Sequence, residues 1–277
     1  MQKTLQQFAV LLLVFFGGWF LLSRIDFVGI FHVAELTADK ERKVGDFILK
    51  GVRRDHKEMH SSEVQSCVDS IARRLCRSNG IQDTSITIHV FIMDEVNAFA
   101  LPGRHIVVNS ALLGYCKSPE ELSGVLAHEI SHLELHHVTK KLIKEVGLSM
   151  LTVMAGGDAT GEMGREMAKM ASSTAFDREQ ENEADKSAVH LMAKAGIDPE
   201  GYANFLFRIA RKRGDNLYNM QWLSTHPNSE DRAAEVLRLR SLESFTTVMV
   251  IDSTSWNEVQ RIVRMKSEKE RNNDTDE

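Results

Sequence analysis

SPEELSGVLAHEISH, residues 118–132, is the stretch on which the reading of the whole chain turns. Ser118 followed by Pro119, with Glu121 three residues after the serine, spells an N-cap, a proline at the first helical position and a capping box, so a helix is expected from 119 through about 141. Leu122, Val125, Leu126 and Leu133 make it amphipathic. His128 and His132 stand four residues apart, about 40° in azimuth, and so present two imidazoles on one face, the spacing of a pair of zinc ligands. Glu129 is one step round the helix. It is misdirected for ligation with them but well placed to take a proton from a water that the metal activates. A chance pentapeptide on a solvated helix is the blander reading, and the caps and the apolar stripe argue against it.

A catalytic zinc needs a third protein ligand and an open fourth position. The extended motif that would supply a third histidine from the same segment requires Gly at 135 and His at 138, and Leu135 and Val138 exclude it. The densest acidic cluster downstream is Asp177 to Asp185 (DREQENEAD), where Glu181 and Asp185 share a helical face. Acidic residues in a first helical turn also complement the helix dipole, so spacing alone leaves ligation and dipole compensation both open.

Upstream of the motif, helices are expected over 38–57, capped by Thr37, and from a Ser62–Gln65 capping box to Asn79-Gly80. Ser85 to Asp94 alternates with period two, and Asn97 to Leu101 leads through Pro102-Gly103 into His105 to Asn109, a short sheet with a hairpin. Downstream, helices are expected over 161–173, 178–195 and 199–213 and from Ser229. A late strand follows at Thr246 to Ile251, then a helix capped by Ser255 and Glu258. Val146 to Gly157 is apolar but too short to cross a bilayer. His89 and His105 fall in strands and read as structural. His136 and His137 read as helix-end or supporting residues, and Met163, Met167 and Met170 as a core stripe.

Thr4 to Ser23 is a run without charge, flanked by Lys3 and Arg24, and long enough at about 1.5 Å per residue to span a bilayer core of about 30 Å. With no small-x-small cleavage site after it, an uncleaved anchor through residues 4–23 is favoured over a signal peptide, with the remainder on the non-cytoplasmic side, most readily a bacterial periplasm. The 277 residues are 43% hydrophobic and 26% charged, which excludes disordered, collagenous and polytopic membrane classes. A net charge of −5 argues against nucleic acid as a partner, and three cysteines, with Cys67 and Cys76 on opposite helix faces, exclude a disulfide framework. Oligomeric state is not legible.

Four blocks together resemble the membrane-associated gluzincin peptidases of family M48: NAFALPG at 97–103, ELSGVLAHEISH at 121–132, DREQENEAD at 177–185 and STHPNSEDR at 224–232. The resemblance implies an α+β fold, a mainly helical zincin-like domain with one small β-sheet over residues 33–265. An N-terminal membrane anchor (1–32) precedes it and a charged disordered tail (266–277) follows. It implies one Zn2+ per chain on His128, His132 and Glu181, with Glu129 as general base and Asp185 holding a ligand in place. It implies for His226, supported by Arg232, either stabilisation of the tetrahedral oxyanion or a fourth ligand that closes the site. Asn97, Ala98, Phe99, Ala100 and Leu101 become the edge strand that pairs with unfolded or misassembled protein substrates. Arg104 and Ala111 depart from the family, which commonly has glycine at both positions. The rival readings are a zinc-binding chaperone kept closed by His226, and a structural zinc module, which the lack of nearby cysteines disfavours.

Overall fold

The computed structural model describes residues 38–82, 85–146, 161–211 and 220–275, with a few isolated positions before residue 18. The segment 147–157 lies outside the described residues, as does almost all of the expected anchor over 4–23. Among the described residues no helix is long and apolar enough to cross a membrane.

Helices α1 (Ala38–Asp55) and α2 (Ser62–Ser78) come first. The cap of α2 is Ser61 rather than Ser62: its Oγ accepts from Val64 N at 3.4 Å, while the Gln65 amide donates to Asp69 and to the Ile88 carbonyl. Strands β1 (Thr87–Phe91), β2 (Ala98–Leu101) and β3 (His105–Asn109) form a sheet in the order β1-β3-β2. β2 and β3 are the expected antiparallel hairpin, with Ala98 opposite Val108, and β1 runs parallel to β3. β1 is shorter than its alternation suggests because residues 57–59 tie off its end, Met59 N donating to Val90 O and Ile92 N to Lys57 O. β2 is left as an edge of this sheet.

A short helix α3 (Ser110–Tyr115) leads into α4 (Pro119–Glu134), which carries the motif. Ser118 caps α4, but the Glu121 carboxylate does not close the capping box; it accepts from Lys117 N at 2.7 Å and from Arg208 Nη2 at 2.6 Å. Nor does the helix run unbroken to 141. It stops at Leu135, His136 takes a left-handed backbone (φ 56°), and α5 (His137–Val146) leaves in a new direction. That break buries His137 beside His132.

The remaining helices are α6 (Gly161–Ser173), α7 (Arg178–Lys194), α8 (Glu200–Ala210), α9 (Gln221–Thr225), α10 (Ser229–Arg240) and α11 (Ser253–Thr275). α4 packs against α7 and α8, α8 against α10, and α6 against α1. Met167 is buried in the core as the stripe predicts, with Met163 packed on it. The expected strand at Thr246 to Ile251 is not one: among the described residues no strand lies beside it, and it is held instead by Val248 N on Gly196 O and by Arg74 on the carbonyls of Val248 and Met249. The charged end expected to be disordered from 266 is helical to Thr275. Lys266 donates to the His60 carbonyl and Lys57 pairs with Glu270 at 3.0 Å, docking the helix along residues 57–60.

Candidate metal centre and active site

Four side chains from three helical segments converge on one buried point: His128 and His132 from α4, Glu181 from α7, and His226 just after α9. The local sequence explains each placement. The i,i+4 spacing faces the two α4 histidines the same way. Asp177 and Gln180 form a reciprocal capping box that fixes the start of α7, so that Glu181 occupies its first turn facing α4. His226 ends α9, its N–H bonded to Trp222 O at 2.8 Å and its ring stacked on the Trp222 indole with centroids 4.1 Å apart. Phe176 stacks on His132 from another side at 3.8 Å. All four donors are at most 1% exposed.

The distances test whether a metal fits. His128 Nε2 lies 3.1 Å from His132 Nε2 and 3.2 Å from His226 Nδ1, and Glu181 Oε1 lies 3.3 Å from His132 Nε2 and 2.8 Å from His226 Nδ1. A tetrahedron of ligands about 2.0–2.1 Å from a zinc ion has edges of about 3.3–3.4 Å, so this donor set fits such an ion. The electrostatics agree. Burial pushes His132 and His226 well below the ordinary histidine range, freeing their lone pairs, while for His128 the charge of Glu181 and the Asp185 hydrogen bond outweigh burial and raise it. A pocket that draws a proton onto a wholly buried imidazole favours a cation at its centre.

The supporting contacts set the tautomers. Asp185 Oδ1 lies 3.0 Å from His128 Nδ1, so the proton resides there and Nε2 faces the centre. His132 Nδ1 is 3.0 Å from His137 Nδ1, and His137 Nε2 is 3.1 Å from Glu183, so the chain Glu183–His137–His132 directs the second imidazole in the same way. Arg232 spans both acids of α7. It pairs with Glu181 through Nη1 and donates to Asp185 from Nε and Nη2 at 2.7 and 2.8 Å. Its guanidinium is engaged with ligand-supporting groups.

Glu129 is fully buried one step round the helix. Its Oε2 accepts from Ala100 N at 2.9 Å; its Oε1 has no hydrogen-bond partner and lies 3.5 Å from His226 Nε2. Burial pushes its carboxyl up to about 7, against the pull of His128 and the Ala100 N–H, so it can both take and return a proton near neutrality. The edge strand thus touches the base directly: of the stretch 97–101, Ala100 reaches Glu129, whereas Asn97 donates to Ser172 O at 3.1 Å and Phe99 lines a cavity of about 250 Å³ against α1 and α6.

The structure therefore brings together His128, Glu129, His132, Glu181, Asp185, His226 and Arg232. Tyr202, Phe176, Trp222 and Lys141 escape the sequence reading. Lys141, pushed down to about 8 by burial, sits 4.1 Å over the Phe176 ring and donates to the Thr174 carbonyl. These four lie in no motif, and only the folded packing exposes them.

The signature of peptidase family M48 matches residues 62–240. The chain is 28% identical over 214 residues to the beta-barrel assembly-enhancing protease of Yersinia pestis, covering 73% of this chain and 44% of that protein. It is 25% identical over 230 residues to the mitochondrial metalloendopeptidase OMA1 of Schizosaccharomyces pombe, covering 79% and 68%, and 31% identical over 176 residues to the Bos taurus OMA1, covering 58% and 33%. It spans less than half the length of the bacterial relatives it matches. With the match running over well over half of its residues and through all four blocks of the site, the chain belongs to peptidase family M48.

Proposed function

We propose that the protein is a zinc-dependent endopeptidase that cleaves unfolded or misassembled envelope proteins at a membrane surface. The observation that carries this reading is the convergence of His128, His132 and Glu181 on one point with the Glu129 carboxylate beside it. A zinc ion held there supplies Lewis-acid polarisation of a carbonyl and makes water a stronger acid. Glu129 takes the proton of the attacking water and delivers it to the leaving nitrogen, so no covalent intermediate with the protein is needed. Asp185 and His137 keep the ligand imidazoles aimed at the centre. Once released from Glu129, the Ala100 N–H would offer an extended substrate a backbone partner, which would suit unfolded chains with little regard to sequence. Substrate pairing at Ala100 displaces Glu129 Oε2 from that N–H and so readies the base in the same movement.

His226 shapes this reading. Its Nδ1 stands within the donor set, which supports the role of fourth ligand over oxyanion stabiliser in this arrangement; cleavage then requires the 221–228 segment to withdraw. The same observation supports the second reading, a zinc-binding holdase whose closed site is permanent. The discriminating experiment compares full-length wild type with Glu129→Gln for zinc content and for cleavage of unfolded casein. The peptidase reading expects zinc in both and cleavage only in wild type; zinc in both and cleavage in neither favours the holdase. Association through residues 4–23 and a non-cytoplasmic catalytic domain belong to the same proposal, checked by protease protection in spheroplasts.

A further inference from the structure

Tyr202 on α8 is wholly buried, yet its hydroxyl is not idle: it accepts from Arg232 Nη2 at 2.7 Å and donates to Asp185 Oδ1 at 2.9 Å. A phenylalanine would fill the same volume without taking a hydroxyl out of water, so its burial points to the partners it meets. The approach that brings it there is built into α4. A Cβ placed on Gly124 would lie 2.2 Å from Tyr202 Cβ, so only glycine lets α8 come close enough. Gly124, His128 and His132 follow at intervals of four along one helix face. The face that presents the two imidazoles also seats the tyrosine, whose ring lies 5.9 Å from that of His128.

We propose that Tyr202 is a positioning residue of the metal centre, its hydroxyl closing a buried Asp185–Arg232–Tyr202 ring that fixes the orientation of His128. This rests on the zinc reading above. Asp185 Oδ1 accepts from His128 Nδ1, Tyr202 Oη and Arg232 Nη2, and Oδ2 accepts from Arg232 Nε. Such an acid orients the His128 N–H without drawing the proton away. Removing the phenol hydroxyl leaves Asp185 Oδ1 with two donors, His128 Nδ1 and Arg232 Nη2, in place of three, and takes from Arg232 Nη2 one of its acceptors. The same guanidinium pairs with Glu181, so the loss reaches two ligands from one atom.

The test is Tyr202→Phe in the full-length, detergent-solubilised protein, with three readouts: zinc affinity by competition with a chromophoric chelator, the visible spectrum of the cobalt-substituted protein, and the unfolding temperature of the metal-free form. The expected result is a loss of zinc affinity of roughly 10-fold, in the range found for residues that support metal ligands. A shifted cobalt spectrum and a metal-free unfolding temperature close to wild type should accompany it. Asp185→Asn should weaken zinc binding too, and the double variant no further than the worse single one, because Tyr202 acts through Asp185. Wild-type zinc affinity and cobalt spectrum in Tyr202→Phe would overturn the proposal, whatever happens to stability. A wild type that binds no zinc overturns instead the reading on which it rests. If the phenylalanine variant misfolds, 3,5-difluorotyrosine placed at 202 keeps the volume and alters only the hydroxyl: a shifted cobalt spectrum supports the proposal and an unshifted one overturns it.

Discussion

Among the described residues, histidines gather in two clusters, and these are built on opposite plans. At the first, His128, His132 and His226 turn three nitrogens and one carboxylate oxygen onto a single point. At the second, His89 and His105 on neighbouring strands are strung in a line, Glu58 to His89 at 2.9 Å, His89 to His105 at 3.1 Å, His105 to Asp46 at 3.2 Å, with Arg53 on Glu58 at the end. The spacing between ring nitrogens is the same in both. What differs is direction: in the line every nitrogen already has a neighbour along the chain of contacts, whereas in the centre the nitrogens share one focus. Among the described residues, donors converge on one point only at the first. Histidine density is therefore uninformative, and convergence is the signal.

The largest effect that sharpens this contrast belongs to Glu129→Gln, which should lower cleavage of unfolded casein by about 10²–10⁴-fold while leaving zinc content intact. Next comes metal content itself. His132→Ala should lose the zinc measured by atomic absorption, and His89→Ala with His105→Ala should keep one per chain; retention by the first or loss by the second would dissolve the distinction. His226→Ala tests the fourth donor. It should raise cleavage roughly 10-fold if the closed arrangement is about 90% populated, and a slower variant would return His226 to the oxyanion role.

The linear cluster should show itself in pH rather than in metal. Burial holds His89 and His105 below the ordinary histidine value, with Glu58 and Asp46 pulling the other way and Arg53 reinforcing burial. Depressed values mean the unfolded chain binds more protons, so the contribution to stability is complete above about pH 6.5 and is lost as pH falls below it. Denaturant melts of His89→Gln/His105→Gln should be flatter than wild type on the acid side. The smallest effect is expected at Arg104→Gly. Arg104 holds a left-handed backbone (φ 66°), which glycine adopts without strain, and its half-exposed pair with Glu134 offsets only part of that strain. The variant should gain about 0.5 kcal/mol, read as a small rise in unfolding temperature.

Much of this was legible before any coordinate. The i,i+4 pair, the cap at Ser118 and the alternation at 85–94 are local signals, and local rules resolve them. The ligand role of Glu181 came by resemblance, since an acidic first turn has an ordinary dipole explanation. What stayed hidden depends on contacts distant in sequence. His136 adopts a backbone that no pattern in HLELHHV announces, and that break selects, of the two roles expected for His137, support of His132 over a helix end. Tyr202 looks like any aromatic on an amphipathic helix. Thr246 to Ile251 has the composition of a strand and lacks a neighbour to pair with, so propensity had nothing to act on.

The order of the ligands along the chain has a consequence in time. The base and two imidazoles lie within residues 128–132, but Glu181 comes later and the histidine that completes the donor set lies 98 residues beyond His128. At about 5–20 residues per second, His226 is synthesised roughly 5–20 s after the motif helix. Under the proposed reading, the nascent chain lacks a third donor until Glu181 is made, and from then until His226 follows it would carry the three donors without the residue proposed to close the site.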